Sequence, residues 1–339
     1  MTRDSLLPRA VSVAFQTDKP LRAYGPLAAA VEAHGFDGVT VYSDLLYQPA
    51  WLPLLEIARA TRRVRIGPAA VNPFTCHPLE MAGHVALLDE ASGERAYLGV
   101  ARGAWLDFLG LEPARPVTAL REALECARHL LARSREPYTG RIFRLQGGDS
   151  LRWAVPRADV PFLLGTWGPR AIRACIALVG EIKVGGTANP DVVLRMRAEV
   201  AAAAVAAGRA PEEVGLVVGA VTVVDRDGRA ARALARRKAA LYLPIIARLD
   251  PTLAIEPDRL ERIRAAAAAY DFDGAAALLP DHLLPRLAFA GTPDEVAEQA
   301  HRLFEAGVSR VEFGTPHGLR EEDGIRLLGE AVLPALRRG

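Results

Sequence analysis

Asp44 stands two residues beyond the apolar run GVTVY (38–42), where the chain has just left what reads as a buried strand. A carboxylate at such a strand end could hold or transfer a proton, or could simply cap the turn that follows. Arg102 follows the run AYLGV (96–100) in the same way and could pair with an acidic or phosphate group, or remain solvated. His77 opens a helix and His317 follows the last strand, but neither belongs to HExxH or another metal-ligand spacing. With no His/Asp/Glu cluster in register, no metal site is expected. No Gly-x-Ser-x-Gly turn or nucleophilic Cys–His arrangement is present. Cys76, Cys126 and Cys175 are scattered without metal or redox spacing, which fits a reducing cytoplasm.

Two glycine-bearing loops offer a different chemistry. GTWGPRAI (165–172) places Gly168 at a helix N-cap with Pro169 in the first helical position. VGGTANPD (184–191) repeats the device, with Gly185, Gly186 and Thr187 ahead of Asn189 as N-cap and Pro190 behind it. Exposed amides and a helix dipole suit an anion, so the two loops could cradle one phosphate; a pair of ordinary turns is the other reading. A third segment, IGPAAVNPFTCHP (66–78), is odd for another reason. It continues the alternating, strand-like TRRVRI, then breaks into small residues bracketed by Pro68 and Pro73. Proline cannot donate to a sheet ladder, so this strand must end in a bulge.

These segments need elements to position them. Strands are expected at 11–15, 38–42, 63–67, 96–100, 161–165, 182–186, 214–224 and 308–314. Helices are expected around 21–34, 51–60, 78–91, 117–132, 169–178, 190–207, 228–248 and 321–337, with a further helical stretch over 251–306. Strict alternation of apolar strands with amphipathic helices indicates a parallel sheet. A (β/α)8 TIM barrel, as a single domain over 1–339, is the economical architecture, and a doubly wound sheet is the alternative. In a barrel, chemistry sits at the carboxyl ends of the strands, where the segments above fall. The stretch 250–285 is too long for a simple connection and is expected to be an inserted helical lid or dimer element before the last strand.

Composition narrows the function. The formal net charge is only +2 in 339 residues, which gives no case for binding nucleic acid or a membrane surface. MTRDSLLPRAVSVAF carries no signal-peptide pattern, and no run approaches the ~20 apolar residues of a membrane span. A soluble cytoplasmic protein acting on a small molecule is expected.

Taken together, GFDGVTVYSD (35–44), RVRIGPAAVNPFTCHP (63–78), GERAYLGVARGAWLDFLG (93–110), GPRAIRACIALVGEIKVGGTANP (168–190) and AGTPDEVAEQ with VEFGTPHG (290–299, 311–318) resemble the luciferase-like flavin- or deazaflavin-dependent barrel oxidoreductases. Within them the chain is most similar to methylenetetrahydromethanopterin reductase-like members, which use coenzyme F420. The resemblance implies a non-prolyl cis peptide at Ala69–Ala70, or one position later, backing the tricyclic ring. It implies that Trp167, Gly168, Gly185 and Gly186 hold the cofactor phosphate, that Asn72 reaches the ring or its tail, and that Asp44 is the acid of an Asp-His pair. Here that pair reads Asp44-Leu45, the acid after the fourth strand is replaced by Arg102-Gly103-Ala104-Trp105, and Glu181-Ile182 replaces the usual Asp-Gly. The first two changes remove proton donors. The expected function is hydride transfer between reduced F420 and a small organic substrate by a homodimer. The alternatives are an FMN-dependent monooxygenase served by a separate reductase, or a diverged cofactor-binding barrel with a non-redox role.

Overall fold

The computed structural model describes residues 9–338; most of the segment read above for a signal peptide, residues 1–8, lies outside the described residues. Eleven strands follow one another as β1 (Ala10–Phe15), β2 (Gly38–Val41), β3 (Arg65–Pro68), β4 (Leu98–Ala101), β5 (Tyr138–Thr139), β6 (Arg144–Leu145), β7 (Phe162–Gly165), β8 (Glu181–Gly185), β9 (Gly215–Val224), β10 (Ala288–Gly291) and β11 (Arg310–His317). Eight of them run side by side in the order β3-β2-β1-β11-β9-β8-β7-β4, every neighbouring pair parallel. With the helices packed around it, this sheet is a nearly closed (β/α)8 barrel.

Period-two alternation along each strand divides the side chains. Val11, Val13, Val39, Val41, Ile66, Leu98, Val100, Phe162, Leu164, Ile182, Val184, Leu216, Val218, Val311 and Phe313 join the main hydrophobic core with the surrounding helices. The alternate set fills the barrel, with Tyr97, Leu163 and Val217 forming a separate small apolar cluster beside buried Ser12, Thr40, Glu181, Lys183, Arg310 and Glu312.

Helix starts obey local capping chemistry. His77 Nδ1 accepts from the Leu79 amide ahead of Pro78–Ser92, and Asn189 caps Pro190–Ala206 through the Asp191 amide. Thr292 and Glu295 form a capping box at Pro293–Glu305.

The barrel closes between β3 and β4 without a regular ladder. Isolated parallel bridges join Ile66 to Ala96 and Val71 to Val100, with Val71 N–H donating to Gly99 O at 3.0 Å and Ala101 N–H to Val71 O at 2.9 Å. Between the two bridges the chain bulges, and the Ala69–Ala70 peptide is cis. Here the strands come so close that a Cβ on Gly99 would overlap the Pro68 carbonyl oxygen, so only glycine fits.

Two expectations are corrected and one element is added. The stretch 251–306 is not wholly helical: it contains β10, which pairs in parallel with Val221–Val224 of the overlong β9. The antiparallel hairpin β5–β6 was also unforeseen. The helix expected over 169–178 ends at Cys175. Between β9 and β10, the helices Gly228–Leu249, Pro257–Ala268, Phe272–Leu278 and Leu284–Leu287 enclose a second hydrophobic core around Ala235, Ala239, Leu243, Ile263 and Leu283. Trp167 packs against both cores. No helix among the described residues is long and apolar enough to cross a membrane.

Candidate active site

On one side of the barrel, the strands β4, β7 and β8 end in Ala101, Gly165 and Gly185, and Ala70 follows just past the end of β3, all half-buried residues with little or no side chain. Ala70, Ala101 and Gly165 meet across β3, β4 and β7, since a Cβ on Gly165 would lie 3.1 Å from Ala101 Cβ and 3.9 Å from Ala70 Cβ. A Cβ on Gly185 would meet no protein atom within 4 Å. These four half-buried small residues form a shallow bowl with open space over Gly185, against which a flat ring could lie. Ala69 and Ala70 lie on one side of this bowl, joined by the cis peptide that the resemblance implied.

Asp44, just past the end of β2, is partly buried at the rim. Gln16, at the end of β1, donates from Nε2 to Asp44 Oδ2 at 3.0 Å. The Gln16 carboxamide is oriented by its own oxygen, which accepts from the Thr17 amide at 2.9 Å. Burial pushes the Asp44 pKa above the ordinary carboxylate value, while the Gln16 hydrogen bond and the Lys183 charge oppose that rise. Tyr42, Tyr47 and Tyr242 stand close enough to feel the Asp44 charge.

Below the rim, charges alternate down the barrel. Lys183 on β8 pairs with Glu312 on β11. Glu312 also accepts from Thr40 Oγ1 at 2.6 Å and lies 3.4 Å from Arg310 Nη1. Arg310 donates twice to Glu181, at 3.1 and 2.9 Å, and Arg65 lies 3.7 Å from the same carboxylate. From mouth to floor the order is Asp44, Lys183, Glu312, Arg310, Glu181, Arg65: acid and base in turn. Burial alone would raise Glu312 and Glu181, but the neighbouring cations hold both below the ordinary value. Burial lowers the Lys183 ammonium, with Glu312 pulling the other way.

The remaining anticipated residues are placed as follows. Trp167 Nε1 donates to the Gly185 carbonyl at 3.2 Å, which joins the two glycine-bearing loops. The amides expected to be free there are partly committed: Gly168 N–H is held by Thr166 Oγ1 at 3.0 Å, and Gly186 N–H by Gly219 O at 2.7 Å. Asn189 faces away from the bowl, donating to Asp250 at 2.9 Å and Thr252 at 2.7 Å. Asn72 is buried, its carboxamide oxygen accepting from the Phe74 and Thr75 amides at 3.0 Å each. The same oxygen also accepts from Thr75 Oγ1 at 3.1 Å. His77 is a helix cap. His317 is buried, with Nε2 3.1 Å from the Ala14 carbonyl and Nδ1 3.3 Å from Glu321. Arg102 is exposed. Two surface clefts, of about 570 and 710 Å³, are lined by neither Asp44 nor the bowl residues.

Gln16, Lys183 and Glu312 were not singled out from the sequence. The available signal was charge at alternate positions in two apolar strands, Glu181/Lys183 and Arg310/Glu312, which is the pattern of side chains turned into a barrel.

Comparison with known proteins agrees with this architecture. The family model for luciferase-like monooxygenases matches residues 1–310. A 5,10-methylenetetrahydromethanopterin reductase of Archaeoglobus fulgidus is 27% identical over 316 residues, covering 90% of this chain and 93% of its own length. The enzyme of the same name from Methanolobus tindarius is 26% identical over 333 residues, covering 95% of this chain and 98% of its own. The solved structure of the coenzyme F420-dependent tetrahydromethanopterin reductase from Methanopyrus kandleri superposes with a TM-score of 0.89 at 24% identity, covering 97% of this chain and 99% of that one.

Proposed function

The chain belongs to the luciferase-like monooxygenase family, and from that membership we propose that it is a coenzyme F420-dependent oxidoreductase acting on a small organic substrate. The observation that carries this reading is the bowl of glycine and alanine backbone with an ionisable Asp44 at its rim. Similarity over nearly the full length to two methylenetetrahydromethanopterin reductases, together with the likeness to a solved tetrahydromethanopterin reductase described as coenzyme F420-dependent, supports the choice of F420.

When bound, the deazaflavin supplies a centre that gives or takes hydride. The protein's part is placement and proton handling. Ala69, Ala70, Ala101, Gly165 and Gly185 would let a flat ring lie directly on the backbone. Trp167, Gly168, Gly185 and Gly186 would face the phosphate, and Asn72 Nδ2 would reach the ring or its tail. Asp44 would hold or release the proton that accompanies hydride transfer, with Gln16 fixing the orientation of its carboxylate. The reading includes a homodimer in the cytoplasm.

Titrating the purified protein with F420 and with FMN, followed by the fluorescence of each, tests the proposal. Saturable F420 binding with weaker FMN binding is expected. Tight FMN alone would replace the proposal with a monooxygenase that needs a separate reductase, and binding of neither would leave a non-redox role.

A further inference from the structure

We propose that the helical insertion after β9 is latched to the loop that follows β8, and that Asn189 and Asp250, which make the latch, are positioning residues for the anion this loop would take. The inference rests on reading the Gly185–Gly186 loop as a cofactor-phosphate site. Asn189 Nδ2 donates to Asp250 Oδ2 at 2.9 Å and to Thr252 Oγ1 at 2.7 Å, just past the end of helix Gly228–Leu249. From the other end of the insertion, the Arg286 carbonyl accepts from the Ala188 amide at 2.9 Å and from Thr187 Oγ1 at 3.2 Å. The Arg286 guanidinium reaches Asp191 at 2.9 Å and Asn189 Oδ1 at 3.4 Å. Packing agrees with these bonds. A Cβ on Gly186, whose φ is +82°, would lie 2.6 Å from Ile246 Cδ1 of helix Gly228–Leu249. The insertion presses on the loop at Gly186 and is hydrogen-bonded to it from Thr187 to Asp191.

Thr187, Asn189 and Asp250 are completely buried, and the polar atoms of the Asn189 and Asp250 side chains are all engaged. Asp250 Oδ1 accepts from the Thr252 amide at 2.9 Å and from its hydroxyl at 2.7 Å. Asn189 Oδ1 accepts from the Asp191 amide at 3.1 Å. A network this complete and this far from water holds one geometry, because each bond broken leaves a buried group unpaired. A lid that opened and shut would have to break it in every cycle. The insertion is thus a fixed wall, and the latch transmits its position to Gly185 and Gly186, just ahead of Asn189 in the chain. The competing explanation is that the latch only fastens the insertion to the barrel, with no consequence for a ligand.

Swapping the two side chains separates these roles. In Asp250→Asn the new amide must face a donor on either side, since Thr252 and Asn189 both donate to the carboxylate. Asn189→Asp alone sets two carboxylates against each other. The double variant Asn189→Asp/Asp250→Asn restores donor to acceptor and keeps a residue suited to the helix N-cap. Two quantities are read on folded protein: F420 affinity by fluorescence titration, and amide hydrogen exchange over residues 185–189 without ligand. Asp250→Asn is expected to weaken F420 binding about tenfold, the effect of one unpaired buried donor carried into the loop. It should also speed exchange at Gly186 and Ala188, and the double variant should recover both. A latch that only fastens the insertion would lower stability and leave affinity unchanged, which overturns the proposal; so does a folded double variant that does not recover. If Asp250→Asn fails to fold, Thr252→Val removes one acceptor of Asn189 Nδ2 with Asp250 in place, and carries the same expectation and the same refutation. A parent protein that binds no F420 would overturn the reading of the site, and exchange in the ligand-free loop would still decide whether the insertion holds it.

Discussion

Asp44 has two roles open to it, proton exchange or turn capping, and one substitution separates them. If it exchanges the proton, Asp44→Asn should lower turnover by about 10²–10⁴-fold with thermal stability nearly unchanged; a near-normal rate would remove it from the catalytic list. Gly185 is the corresponding test of the bowl. A side chain there meets open space rather than protein, so Gly185→Val should weaken F420 binding at least about tenfold, roughly 1.4 kcal/mol, while the melting temperature holds. Equal affinity in that variant would place the ring elsewhere. At this scale the sequence was legible where position alone betrays a residue. Asp44 stands out because it leaves a strand at the barrel mouth. Lys183 and Glu312 do not, because a lysine in IKVGG and a glutamate in VEFG look like incidental charges until the topology sets β8 and β11 on either side of β9. Two of the amides expected to be free in the glycine-bearing loops have local partners that the sequence did not reveal, Thr166 Oγ1 for Gly168 and the Gly219 carbonyl for Gly186.

Elements are held in place by carboxylates that serve backbone amides. Glu32, near the end of helix Tyr24–His34, accepts from the amides of Arg62, Arg63 and Val64 at 2.9, 2.5 and 3.0 Å, fixing the entry to β3. Glu122 does the same for Arg141, Ile142 and Phe143 in the β5–β6 turn. Glu32→Gln offers one acceptor where two oxygens are used, and should cost about 1–3 kcal/mol in denaturant unfolding; no loss would show that the entry to β3 is held without it. Gly99→Ala would be felt at the barrel seam, because its Cβ meets the Pro68 carbonyl. It should destabilise by about 3 kcal/mol or more, and a stable variant would mean the seam can open. The helix starts at Pro78, Pro169 and Pro190 were readable because each proline follows a residue suited to the N-cap or opening turn, whereas the start at Pro293 was hidden inside the stretch expected to be helical throughout. β10 was not readable, because AFAG lacks both a polar alternation and a turn before it; it forms only because β9 extends past β8 and leaves Val221–Val224 to be paired.

Across the whole molecule, acid should act through carboxylates whose native pKa lies below the unfolded one. Burial raises Glu181 and Glu312, but the cations beside them reverse the sign. Burial likewise raises Glu32 and Glu122, and their backbone donors overcome it. For groups shifted downward, the stabilisation is present above the unfolded pKa and is lost as pH falls through the native one. Unfolding free energy should therefore be flat in these groups from pH 8 to 6 and fall steeply below about pH 4; a gradual decline from neutrality would point to other groups. The column inside the barrel also restricts how the chain can change over generations. Any single loss from Lys183, Glu312, Arg310 or Glu181 strands a charge that water cannot reach, at a cost of about 3–5 kcal/mol, whereas striking out two neighbours leaves the rest still alternating in sign. Mutational paths through this interior run in steps of two, so a descendant of this sequence that has lost Lys183 should also have lost Glu312.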